Sequence, residues 1–209
     1  CWILLKGVFL LFIIAIPEGK LFLKNGMTLR KESNTEKHQG NILSQEFFTR
    51  DVLLVAPDLI GKFLVVRPEN SNPERFLITE TEAYRGIEDK ACHASKGRTR
   101  RNEVMFHPGG KVYIYLIYGM YWMLNFVTGG ENEPQAALIR GIEGYNGPGK
   151  LTKALGIDTS FYGIDLTSSD RIWVEDAGIL PKIQTGPRIG IDYAGEMWKN
   201  KPWRYYTSV

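Results

Sequence analysis

Phe76-Leu77-Ile78-Thr79-Glu80-Thr81-Glu82-Ala83-Tyr84 is the stretch whose reading decides the fold. It has the composition of a β-strand, with Phe76, Leu77 and Ile78 as an apolar start. Past that start, the two-residue period of a strand puts Glu80, Glu82 and Tyr84 on one face of a sheet. Two carboxylates and an aromatic ring make an odd core and a plausible site. The pattern alone equally allows a strand whose outer face is simply wet.

On the N-terminal side, residues 62–67 form a second strand and Pro-Glu-Asn-Ser-Asn-Pro-Glu (68–74) a turn, so the pair is a hairpin. Residues 50–60 carry apolar side chains at helical spacing, with Asp51 as cap and Gly61 as stop. Pro57 inside that run predicts a kink or two short turns. On the C-terminal side, 86–101 is loop-like and 111–117 (KVYIYLI) alternates as a strand. Tyr118-Gly119-Met120-Tyr121 is a tight turn, from which 122–127 returns. Residues 135–142 form another strand, apolar after its first residue except for Arg140, which calls for a carboxylate partner. A helix is expected over 151–155, and late strands over 171–175 and 187–191. With no internal repeat and no clear linker after residue 45, the simplest architecture is a single α+β domain.

The length of 209 residues suits one well-buried domain rather than two. Hydrophobic residues at 44% beside 23% charged exclude a disordered chain. A net charge of +3 permits a polyanionic partner without demanding one. Cys1 and Cys92 make no disulfide framework and point to a reducing compartment. Residues 2–16 are nearly all apolar, yet fall short of the ~20 that a spanning helix needs, so no stable membrane partner is expected. No basic stretch precedes them, and Ile16-Pro17-Glu18 is a poor cleavage site. Met27 is therefore the expected native start, with 1–26 as upstream sequence or a truncated presequence. Residues 27–45 are polar and loose, and the domain proper spans 46–209.

Several chemistries drop out. There is no zinc-ligand spacing, and His38, His93 and His107 are too scattered to suggest a metal cage. Serine-hydrolase elbows, P-loops and dinucleotide fingerprints are absent, so no cofactor is expected. Lys96, Arg98, Arg100 and Arg101 put four cations into six residues, either a solvated face or a phosphate contact. Gly147-Pro148-Gly149-Lys150 opens the helix as either a capping turn or an anion seat. What remains is acid chemistry on Glu80 or Glu82 among tyrosines and cations. That combination suits an aromatic, positively polarised ligand on a phosphate backbone.

Seven motifs then occur in order: Glu80-Thr81-Glu82-Ala83-Tyr84; Cys92-His93 with Gly97-Arg98-Thr99; Arg101-Asn102-Glu103-Val104-Met105-Phe106; 113–121 (YIYLIYGMY) with Asn125; Leu138-Ile139-Arg140; Asn146 to Leu151 (NGPGKL); and Ala194-Gly195-Glu196. Over about 45–207 the chain resembles the alkyladenine (3-methyladenine) DNA glycosylase family in its bacterial form. The resemblance implies a curved antiparallel sheet, roll- or barrel-like, with short surrounding helices and a protruding hairpin that intercalates into DNA. It implies a cytoplasmic, nucleoid-associated monomer acting on duplex DNA with damaged purines. Such enzymes swing a damaged nucleotide out of the helix and hydrolyse its N-glycosidic bond.

By this resemblance Glu82 is the general base, Arg140 holds the attacking water and a phosphate, and Ile189 offers its carbonyl to that water. Tyr84, His93 and Tyr115 are walls of the base pocket, with Leu138 lining it. Asn125 is the side chain that clashes with the 2-amino group of guanine. Tyr118 is the wedge, flanked by Met120 and Tyr121, while Lys96, Arg98, Arg100, Arg101 and Lys150 meet phosphates. An alkylated purine is already a good leaving group, so one carboxylate suffices where O-glycosidases use two. No lysine stands out as a covalent nucleophile, which implies water attack without strand cleavage. A damage-binding module that flips bases without cutting them is the alternative. Three features depart from the family: Arg100 in place of a proline, a short 141–146 connection, and the apolar N-terminus.

Overall fold

The computed structural model describes residues 41–207. The apolar 2–16 segment, Met27 and the polar stretch up to residue 40 lie outside the described residues. In chain order the elements are β1 (Asn41–Ile42), α1 (Gln45–Phe48), α2 (Val52–Asp58), β2 (Phe63–Val66), β3 (Glu74–Arg85), β4 (Val112–Ile117) and β5 (Tyr121–Thr128). They continue with β6 (Gln135–Ile142), β7 (Tyr145–Asn146), α3 (Pro148–Ala154), β8 (Ile172–Asp176), β9 (Gln184–Gly186), α4 (Glu196–Lys199) and β10 (Arg204–Tyr206). The fold is α+β, a single curled antiparallel sheet with a few short helices.

The twelve-residue β3 is the pivot of the sheet. Its first residues pair with β2, while Ile78 to Arg85 pair with β6 and Glu80 to Glu82 pair with β10 on the other edge. The main path runs β1-β8-β2-β3-β6-β5-β4, every neighbour antiparallel. Thr81 and Ala83 turn into the core beneath α2, where the Thr81 hydroxyl donates to the Ala56 carbonyl at 2.8 Å. Glu80, Glu82 and Tyr84 take the opposite face. Strict alternation would also place Ile78 on that face, yet Ile78 is buried in the main core. Register shifts on either side of Glu80 resolve the conflict: Thr79 is an extra residue on β3, and Arg140 an extra residue on β6. Such bulges re-aim side chains beside functional sites.

Asp51 caps α2 as expected, its carboxylate accepting from the Leu53 N–H at 2.9 Å, and Pro57 lies within the helix. Two expectations need correction. Residues 187–191 form no strand; the sheet element is the preceding β9, after which Pro187 offers no donor and the Ile189 N–H is taken by Glu82. The loose polar stretch ends before residue 45, because Asn41 and Ile42 pair with β8, Leu43 is buried, and α1 opens at Gln45. No helix of the described residues is long and apolar enough to cross a membrane.

Candidate active site

Glu82 is fully buried, and the strands on either side hold its backbone, opposite Leu138 of β6 and Arg204 of β10. Its carboxylate has three polar neighbours. The Tyr84 hydroxyl donates to Oε2 at 2.8 Å, the Ile189 N–H donates to Oε1 at 2.8 Å, and Arg140 Nε stands 3.6 Å from Oε1. Burial pushes the Glu82 carboxyl above its ordinary range; the Arg140 charge, the Ile189 amide and the Tyr84 hydroxyl pull it partly back. A buried carboxylate with a raised pKa, held by donors that favour its ionised form, is suited to taking a proton.

Sheet register carries the rest of the site. Glu82 faces Leu138, Leu138 faces Asn125, and Asn125 faces Tyr113, so one row crosses β3, β6, β5 and β4. Side chains directly opposite share a face. Leu138, Asn125 and Tyr113 of this row line a cleft of about 740 Å³ together with Tyr84, His93, Tyr115 and Arg140, and Glu82 lies buried behind that lining. The His93 ring lies 4.5 Å from that of Tyr115, and its Nδ1 is 2.7 Å from the Tyr113 hydroxyl. Burial and the cations Arg101 and Lys96 bring the His93 pKa down to about 4, so its ring is neutral in the physiological range. Burial raises the Tyr84 and Tyr115 phenols, which stay protonated. The walls are therefore neutral, electron-rich rings that attract a cationic aromatic guest. Asn125 spends its amide hydrogens on the carbonyls of Tyr113 and Met123, at 3.3 and 3.1 Å, which holds its side chain at one setting in the floor.

The other sequence-predicted residues spread around the mouth of the cleft. Tyr118 is 85% exposed at the β4–β5 turn with φ of +52°, and Met120 and Tyr121 are exposed beside it. Tyr121 rests on the start of α3 because Gly149 lacks a side chain; a Cβ there would sit 2.6 Å from the ring. Arg101 lies 5.3 Å over the Tyr115 ring. Lys96, Arg100 and Lys150 are exposed. Arg98 stands apart from them, since Glu103 holds its guanidinium at 2.5 and 2.9 Å.

Sequence reasoning missed four contributing residues. Tyr113 shares a strand face with Tyr115 two residues on, a signal that was available. Arg188 and Asp89 form a fully buried ion pair at 2.6 Å, and Arg188 packs 4.8 Å behind the Tyr84 ring. Ninety-nine residues separate the partners, so no local pattern announces them. Arg204 reaches Glu80 from β10 at 3.3 Å.

A buried carboxylate beside an arginine, with neutral aromatic rings lining the neighbouring cleft, suits a flat, electron-poor guest. Comparison with known proteins narrows this. The sequence model of the methylpurine-DNA glycosylase (MPG) family matches residues 46–146 and 143–209. A Rickettsia felis protein is 46% identical over 174 residues, covering 80% of this chain and 93% of its own. Proteins of Methanocella arvoryzae (45% over 185 residues; 79% and 92% covered) and Psychrobacter cryohalolentis (43% over 186; 75% and 88%) are also similar. All three are provisionally named 3-methyladenine DNA glycosylase. The chain belongs to the methylpurine-DNA glycosylase family, DNA-repair hydrolases of N-glycosyl bonds.

Proposed function

We propose that this protein removes alkylated and deaminated purines from duplex DNA by hydrolysing the N-glycosidic bond, leaving an abasic site. The observation that carries the reading is Glu82, buried and hydrogen-bonded to Tyr84, whose ring lines the cleft. A purine inside the stack is out of reach, so the nucleotide rotates into the cleft and Tyr118 fills the gap it leaves. The extruded base stacks between Tyr84, His93 and Tyr115. Asn125 and Leu138 bound its edge, and the amide of Asn125 disfavours the 2-amino group of guanine.

In the chemical step a water held by Glu82, Arg140 and the Ile189 carbonyl attacks the anomeric carbon. Its proton passes to the Glu82 carboxylate as the new C–O bond forms. The C–N bond breaks with its electron pair going to the base, so a cationic alkylpurine leaves neutral and needs no protonation. Glu82 then returns the proton to solvent. Lys96, Arg100, Arg101 and Lys150 contact phosphates, with Met120 and Tyr121 supporting the wedge. The protein acts as a monomer in the bacterial cytoplasm.

The test is incubation with a methylated duplex, followed by detection of free bases and of strand breaks before and after alkali. Released methylpurine with strands intact until alkali supports the proposal. Tight binding without release assigns the protein to the non-catalytic damage-binding class instead.

A further inference from the structure

Glu80 is the second carboxylate on the site face, and the reaction above leaves it without a task. Its Oε1 lies 3.1 Å from Arg140 Nε and 3.3 Å from Arg204 Nη1. Arg140 Nε stands 3.6 Å from Glu82, beyond hydrogen-bond reach. Arg140 thus leans on Glu80, although it could close on Glu82. Arg204 Nη1 donates to the same Glu80 oxygen, so this carboxylate balances a second arginine as well. Four charged groups therefore alternate as Arg204, Glu80, Arg140, Glu82, and their formal charges sum to zero.

The backbone makes room for this array. The register shifts bracket Glu80, and its partner on β6 is Gly141. A Cβ at Gly141 would come within 3.1 Å of both Glu80 Cβ and Thr79 Oγ1. A larger residue there would push the Glu80 carboxylate out of place. The cleft also gains from the arrangement. Paired with Glu80 at Nε, Arg140 also lines the cleft.

We propose that Glu80, backed by Arg204, is a positioning residue that holds Arg140 off Glu82 and keeps the Glu82 carboxylate from a tight pair with the guanidinium, free to accept a proton. This rests on the general-base reading of Glu82. Without Glu80, Arg140 closes into a direct pair with Glu82, and a tightly paired carboxylate is a weaker base. Without Arg204, Glu80 keeps its full negative charge against Glu82. The two deletions therefore move the ionisation of Glu82 in opposite directions. The other groups facing Glu82 are Tyr84 on its own strand, the Ile189 N–H and the phenols of Tyr115 and Tyr193, all kept in these variants.

The experiment is the single-turnover rate of base release from methylated duplex across pH 4–9, with thermal midpoints recorded for each variant. Glu80→Gln is expected to shift the acid limb about one pH unit down and to lower the plateau about tenfold. Arg204→Gln is expected to shift the limb up. Glu80→Asp, which keeps the charge, restores the wild-type limb. Unmoved limbs beside lowered thermal midpoints overturn the proposal and leave Glu80 a structural role. Should Glu80→Gln not fold, the direction of the Arg204→Gln shift decides alone. Glu82→Gln separates this inference from the one it rests on. An active Glu82→Gln rejects the general base itself, whereas an inactive one beside an unmoved Glu80→Gln limb rejects only the role of Glu80.

Discussion

Replacing Asp89 by alanine tests how the site is braced. Asp89 and Arg188 are both fully buried, and the Asp89 carboxylate takes four donors. These are Arg188 Nη1 at 2.6 Å and Nη2 at 2.9 Å, the Arg85 N–H at 3.1 Å and the Ala91 N–H at 3.0 Å. Arg188 also donates to the carbonyl of Ala83, the residue after Glu82, at 2.9 Å and lies between the rings of Tyr84 and Trp203. Asp89→Ala leaves the guanidinium buried and uncompensated, which costs about 3–5 kcal/mol. For a domain stable by about 5–15 kcal/mol that is a large share, equivalent to a thermal midpoint lower by roughly 10 °C. Arg188→Met should cost about as much, because it strands the carboxylate. The double variant leaves neither charge, so its cost should fall below the sum of the singles by about 2–3 kcal/mol. Urea unfolding of the four proteins measures each corner of the cycle. Additive costs, or an Asp89→Ala loss under about 1 kcal/mol, would show that the buried pair does not brace the loop carrying Ile189.

Two further outcomes concern the DNA-facing side. Tyr118→Ala should lower base release from duplex at least about tenfold while leaving thermal stability unchanged, since the ring is 85% exposed. A wild-type rate places the wedge elsewhere. Arg100→Ala should reduce the slope of log affinity against log salt by about 0.9, one phosphate contact. Arg98→Ala should change it far less, because Glu103 already holds that guanidinium. Equal slope changes refute this distinction.

Much of this was legible along the chain because β3 carries its own argument. An apolar start followed by Glu-Thr-Glu-Ala-Tyr gives one core face and one chemical face by alternation alone. The Tyr-x-Tyr of β4 and the arginine in β6 read the same way, and the seven motifs supplied the family. Hidden features depend on non-local pairing. The bulges at Thr79 and Arg140 exist only once β3 meets β6, and they decide which way Ile78 turns. β10 is three residues long, too short for any periodicity, yet it brings Arg204 to Glu80. Residues 187–191 alternate like a strand, but the Ile189 amide serves the Glu82 carboxylate rather than a sheet neighbour.

Glu82 ionises only after losing a proton that burial helps it keep. Activity that needs the ionised form therefore disappears as pH falls through a pKa raised above the ordinary 4.5. The most direct measurement is single-turnover base release by wild type and Glu82→Gln on one methylated duplex from pH 4 to 9. A rate about 100-fold or more lower, with the acid limb gone and DNA binding retained, is the predicted result. A Glu82→Gln protein that releases base at the wild-type rate, with the same limb, would contradict the assignment of the base and the mechanism built on it.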